Sequence, residues 1–184
     1  LASEKKSILV CIDGSNLTDA VVEHAVFLAK QTQSELKFLH IIEHKGDTKT
    51  VLHEGAMTPN MSEQLLESLS EQGHENSKQL ITEGRALLEK AHKTALESGI
   101  TDVSVKHLHG QLAVALQEFE ETFEYVVLGV TGQGHTASDK PALGTQLEEA
   151  IRVLDTPVYI VKKEFVKPTS LLLAYNGGRA SRKA

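Results

Sequence analysis

Residues 7–42 read SILVCIDGSNLTDAVVEHAVFLAKQTQSELKFLHII. Residues 7–12 are almost continuously apolar and end on Asp13-Gly14-Ser15. That is the pattern of a strand buried on both faces and closed by a polar turn. Val21, Val22, Ala25, Val26, Leu28 and Ala29 then recur at helical spacing, with Thr18 or Asn16 expected as the N-cap. Residues 35–42 form a second apolar strand. A strand, a helix and a strand joined by short connections make a βαβ unit, whose crossover is right-handed and whose strands are parallel.

The same alternation extends outward. Residues 43–60 are polar, with Gly46, Gly55 and Pro59, and are expected to form a long surface loop. Helical spacing returns over residues 61–96 through Leu65, Leu66, Leu69, Leu80, Leu87, Leu88, Ala91 and Ala95. Ser98-Gly99 closes that helix, and Gly73 marks a point where it can split. Residues 102–110 alternate as a third strand, 111–123 follow as a helix, and 125–130 form a wholly apolar and therefore central fourth strand. A helix over 145–154 and a strand over 157–163 complete the series, and Pro157, Lys162 and Lys163 suit an edge strand. Five strands alternating with four helices predict an α/β fold, a doubly wound parallel sheet with helices on both faces.

Composition narrows the function. The chain has 184 residues, 40% of them hydrophobic and 24% charged, which suits one compact domain with something appended. A net charge of -6 and the lack of a dense Lys/Arg tract argue against nucleic acid as a partner. No run approaches the roughly 20 apolar residues that span a bilayer, and the first apolar run is too short for a signal-peptide core. The single cysteine, Cys11, excludes an intramolecular disulfide and favours a reduced, cytoplasmic setting. Its place in a buried strand makes it an inert thiol.

In doubly wound sheets the ligand crevice lies beyond the carboxyl ends of the strands, where the strand order reverses. Two such ends are rich in glycine and polar groups: Asp13, Gly14 and Ser15 after the first strand, and 129–134 after the fourth. Gly129, Gly132, Gly134 and Gly144 exceed what one sharp turn requires. Such glycines allow backbone N–H groups to face an anion, and the helix starting at Thr145 points its positive end the same way. The alternative is a turn with no ligand. Asp13 is likewise either a ligand acceptor or the cap of its own turn.

These residues resemble the universal stress protein family over residues 5–163, through ILVCIDGS at the first strand, HII closing the second, and VVLGVTGQG followed by LGT, a helix and TPVYIV. The resemblance implies a strand order of 3-2-1-4-5. It also implies an adenine nucleotide, ATP with or without Mg2+, held as a ligand or switch. The base would lie near Asp13 and the backbone of Ile41, with phosphates over Gly129, Gly132, Gly134, Gly144 and Thr145. The family signature Gly-x2-Gly-x9-Gly-(Ser/Thr) is matched except that eleven residues, not nine, separate Gly132 from Gly144. Asp139 and Pro141 in that longer segment oppose phosphate binding, whereas Lys140 and His135 offset the charge. A dimerisation or interaction module without nucleotide is therefore the competing expectation.

No acid/base pair, Ser/His/Asp set or P-loop Gly-Lys-(Ser/Thr) can be read from the sequence, so any ATP hydrolysis is expected to be slow and incidental. His107 and His109 share a face of the third strand, but no cysteine or carboxylate stands at matching spacing. They are read as structural or solvent-facing, and no metal site is expected.

Residues 170–184, SLLLAYNGGRASRKA, repeat the opening SILVCIDGSNLTDAV. By resemblance, residues 1–165 make one universal stress domain, and 166–184 the first strand and helix start of a second, truncated one. An apolar strand without a sheet is expected to be disordered or to exchange with another copy. The family also pairs through the fifth strand, here Val158 to Val161, so a homodimer is expected.

Overall fold

In the computed structural model, the structure describes residues 7–42, 59–130, 145–174 and 176–178. Five strands, β1 (Ser7–Cys11), β2 (Glu35–Ile42), β3 (Val103–His109), β4 (Tyr125–Gly129) and β5 (Val158–Val161), form one sheet in the order β3-β2-β1-β4-β5. Every pairing is parallel. The expected doubly wound sheet and its strand order are both present.

The alternation of side chains along each strand divides the core in two. Ile8, Val10, Ile12, Leu36, Phe38 and Val127 point to the face covered by α1 (Thr18–Thr32) and α2 (Pro59–Glu97). Leu9, Leu39, Val126 and Leu128 point the other way, against α3 (Leu112–Phe119) and α4 (Thr145–Val153). β1 is thus buried on both faces, which is why its sequence reads as an unbroken apolar run rather than an alternating one.

The helix ends differ from the sequence reading in instructive ways. Leu17, not Asn16 or Thr18, occupies the N-cap of α1, and no side chain caps it there. The preceding turn satisfies the helix start instead, because the Leu17 N–H donates to Ser15 Oγ at 3.4 Å and the Thr18 N–H to the Ser15 carbonyl at 3.1 Å. Gly73 does not split α2, which runs through it for 39 residues. One mid-helix glycine costs about 1 kcal/mol, which a helix of that length absorbs. The helix also begins at Pro59, within the stretch expected to be loop. Its far end is as expected: Gly99 has φ +89°, its N–H donates to the Leu96 carbonyl at 2.9 Å, and the Ile100 N–H donates to the Ala95 carbonyl at 3.1 Å. That pair of bonds is a Schellman closure.

After β5 the chain folds back onto α1. The Phe165 ring packs edge-on to His24 and against Phe27, with centroids 5.0 and 5.3 Å away, and His24 Nδ1 meets the Tyr159 hydroxyl at 3.0 Å. Beyond this contact the chain runs out into solvent: Leu171 and Leu172 are 96% and 97% exposed.

Candidate functional site

β1 and β4 are neighbours, with Ile8 beside Tyr125 and Val10 beside Val127. Their carboxyl ends therefore emerge side by side. Beyond them the hydrogen bonding diverges: the Ile12 N–H donates to the Leu39 carbonyl of β2 at 2.9 Å, while the Val130 N–H donates to the Val161 carbonyl of β5 at 2.8 Å. The two strands part towards opposite sides, which marks the topological switch point where doubly wound sheets open their ligand crevice. Because β4 and β5 are parallel, α4 between them runs antiparallel to both and brings its N-terminus, at Thr145, to the same end of the sheet.

At the β1 end, Asp13 folds its carboxylate into the turn. Its Oδ1 accepts the Ser15 N–H at 3.0 Å and the Thr18 hydroxyl at 3.5 Å. Gly14 adopts φ +77°, the left-handed region that a side chain would strain. The turn-capping reading of Asp13 is therefore a fact of the fold. Ile41 lies past the last β1–β2 pair, Cys11 with Leu39, and on its other side is in register with Leu108 of β3. Gly129 ends β4. Gly132, Gly134, His135 and Gly144 lie outside the described residues, as do Asp139, Lys140 and Pro141.

Cys11 lies on the wall of this end, partly exposed. Burial of its sulfur, reinforced by the Asp13 carboxylate, pushes the thiol up to about 12. It remains protonated near neutrality and is no nucleophile.

Sequence reasoning reaches His40 only as part of the HII stretch. It is buried on β2, opposite His107 of β3, and its Nδ1 and the Nε2 of His107 are buried without a hydrogen-bond partner among the described residues. Only the β2–β3 register brings the two together. His107 shares its face with His109, as its spacing indicated, the two rings stacking 6.2 Å apart. Among the described residues no group of three or more His, Cys, Asp or Glu side chains is placed to hold a metal ion.

The C-terminal segment repeats the Asp13 turn in three dimensions. The Gly178 N–H donates to Asn176 Oδ1 at 2.9 Å, and Gly177 has φ +75°. Asn176, Gly177 and Gly178 thus reproduce the geometry of Asp13, Gly14 and Ser15.

The sequence profile of the universal stress protein family matches residues 5–162. The chain belongs to that family. It is 28% identical to universal stress protein Slr1230 of Synechocystis over 97% of the present chain. The chain spans 62% of that relative's length. It is also 28% identical to universal stress protein MJ0531 of Methanocaldococcus jannaschii, over 86% of this chain and 82% of the relative. Among solved structures, hypothetical protein MJ0577 superposes with a TM-score of 0.63 at 19% identity, covering 89% of this chain and all of the other. The universal stress protein from Archaeoglobus fulgidus in complex with dAMP gives 0.57 at 16% identity, covering 87% and 100% of the two chains. A universal stress protein in complex with cAMP gives 0.53 at 19%, covering 87% and 98%. At these identities the structures establish a shared α/β fold. No helix among the described residues is long and apolar enough to cross a membrane.

Proposed function

We propose that this universal stress protein binds ATP or a related adenine nucleotide, in the crevice between the carboxyl ends of β1 and β4, as a ligand or switch rather than as a fuel. The observation that carries the reading is the convergence at one switch point of the fixed Asp13 carboxylate, the Gly129 end of β4 and the N-terminus of α4. Asp13 would accept a hydrogen bond from the adenine amino group or the ribose, with the Gly14 and Ser15 backbone beside it. Ile41 would offer backbone groups to the base. Gly129, Gly132, Gly134 and Gly144 would let N–H groups reach the phosphates, aided by Thr145 and His135, with Mg2+ accompanying the nucleotide. The complexes of two fold relatives with dAMP and cAMP support an adenine ligand. The test is calorimetric titration of the chain with Mg-ATP beside Gly132→Val, whose side chain blocks backbone approach. Micromolar binding abolished by the substitution supports the cradle, and failure of the intact chain to bind refutes it.

One observation favours the competing interaction module: Asp13 Oδ1 is already engaged by Ser15 and Thr18. The eleven-residue spacing from Gly132 to Gly144 points the same way. On either reading, β5 ends the sheet with Ile160 36% exposed, which suits a homodimer through Val158–Val161. Sedimentation equilibrium of Ile160→Lys against the parent chain tests that pairing, and an unchanged mass refutes it.

We further read residues 166–184 as the opening of a second unit of the same fold. The matched Asx turns at Asp13 and Asn176 and the three exposed leucines support this division at residues 165 and 166. Asn176 in place of Asp13 would give the second unit an uncharged acceptor.

A further inference from the structure

His40 and His107 lie side by side on β2 and β3 with ring centroids 4.9 Å apart, and α2 closes over them at Gly84. A Cβ on Gly84 would stand 2.7 Å from both His40 Nδ1 and His107 Nε2. The two unpartnered nitrogens therefore converge on one spot, which the helix backbone covers because residue 84 carries no side chain. Two imidazoles fall short of the four ligands of a structural zinc site, and the described residues supply no third. The position instead suits neutral rings, since neither inward nitrogen has a hydrogen-bond partner among the described residues that would stabilise a charge.

We infer that the His40–His107 pair is a pH-sensitive clasp that holds α2 on the β2–β3 side of the sheet when both rings are neutral and loosens it when they are protonated. The charged groups around the pair favour that outcome. Arg85 on α2 and His109 on β3 disfavour charge on His107, and His107 disfavours it on His40. Asp13, beyond β1, acts the other way on His40 but is outweighed by burial and by His107. Burial is the largest cause for each ring, and both are held below the ordinary value of 6.5.

The sign follows from proton linkage. An opened state, with rings in water, binds protons as the pH falls through about 6.5, whereas the closed state does not until its lowered values are reached. The clasp is at full strength above that pH and weakens below it. Each ring contributes up to about tenfold in the opening equilibrium per pH unit, and the pair up to about a hundredfold. Nucleotide binding does not enter this inference.

Amide hydrogen exchange of the full chain at pH 7.5 and 5.5, corrected for intrinsic rates, tests it. The opening equilibrium of residues 84–96 and of β3 is expected to rise on acidification, by up to about tenfold for each ring, with β4 changing less. In His107→Gln most of that selective rise is lost. An equal rise throughout the sheet, no rise, or an undiminished rise in the variant overturns the clasp. Should the variant not fold, NMR titration of the ring protons in the parent chain decides: values for His40 and His107 at or above 6.5 overturn it, and lower values uphold it.

Discussion

The turn after β1 and the turn at residues 176–178 have the same local structure and opposite surroundings. In the first, Asp13 Oδ1 accepts the N–H two residues on at 3.0 Å and Gly14 has φ +77°; in the second, Asn176 Oδ1 accepts at 2.9 Å and Gly177 has φ +75°. Yet Ile8 is 0% exposed in the first apolar run, and its counterpart Leu171 is 96% exposed in the second. The comparison separates two layers of coding. The Asx-Gly pair writes its turn from short-range chemistry alone, whereas three consecutive apolar residues become a strand only where a sheet receives them.

The largest difference is expected when a charge is placed in each run. Ile8→Asp buries an unpaired carboxylate and costs about 3–5 kcal/mol, enough to unfold a marginal domain. Leu171→Asp is expected within about 0.5 kcal/mol of the parent chain in chemical denaturation. A comparable loss from both would mean that the second run is packed as firmly as the first.

Cysteine chemistry sharpens the contrast. Cys11, its thiol raised to about 12, should alkylate at pH 8 at least about tenfold more slowly than an ordinary exposed thiol. Ala174 occupies the matching place in the second run and is exposed. In a Cys11→Ala background, Ala174→Cys should react at the ordinary rate. Equal rates at the two positions would show that the β1 end is open to reagent.

A backbone substitution should have a smaller effect. Gly14→Ala must hold a side chain at positive φ and is expected to lower stability by about 1–2 kcal/mol. Gly177→Ala carries the same local strain in a segment outside the core, so the midpoint of global unfolding should stay where it is. The smallest effect comes from the turn acceptors: Asp13→Ala forfeits the Ser15 and Thr18 bonds at about 1 kcal/mol, and Asn176→Ala leaves the midpoint unchanged.

Much of the fold was legible because β1 and β4 are covered on both faces, and an unbroken apolar run followed by a polar turn has few other readings. Gly73 misled because a propensity cost of about 1 kcal/mol is small beside the cooperativity of a long helix. Asn16 and Thr18 misled because the capping role had moved upstream to Ser15. At the site, Asp13 and Gly14 advertised a turn through residue type. The His40–His107 pair advertised nothing: it exists only through the register of two strands far apart in the sequence and the absence of a side chain on Gly84. Ile41 was singled out by resemblance alone, since a backbone contact leaves no mark in a side chain.

The central claim is that an adenine nucleotide occupies the switch-point crevice. The most direct measurement is amide chemical-shift mapping of the chain during titration with Mg-ATP. Saturable shifts are expected at Ile12, Asp13, Gly14, Ser15, Ile41, Gly129 and Val130, while Asn176, Gly177 and Gly178 stay still despite their matching turn. Absence of saturable shifts, or shifts centred away from the β1 and β4 ends, would contradict the account.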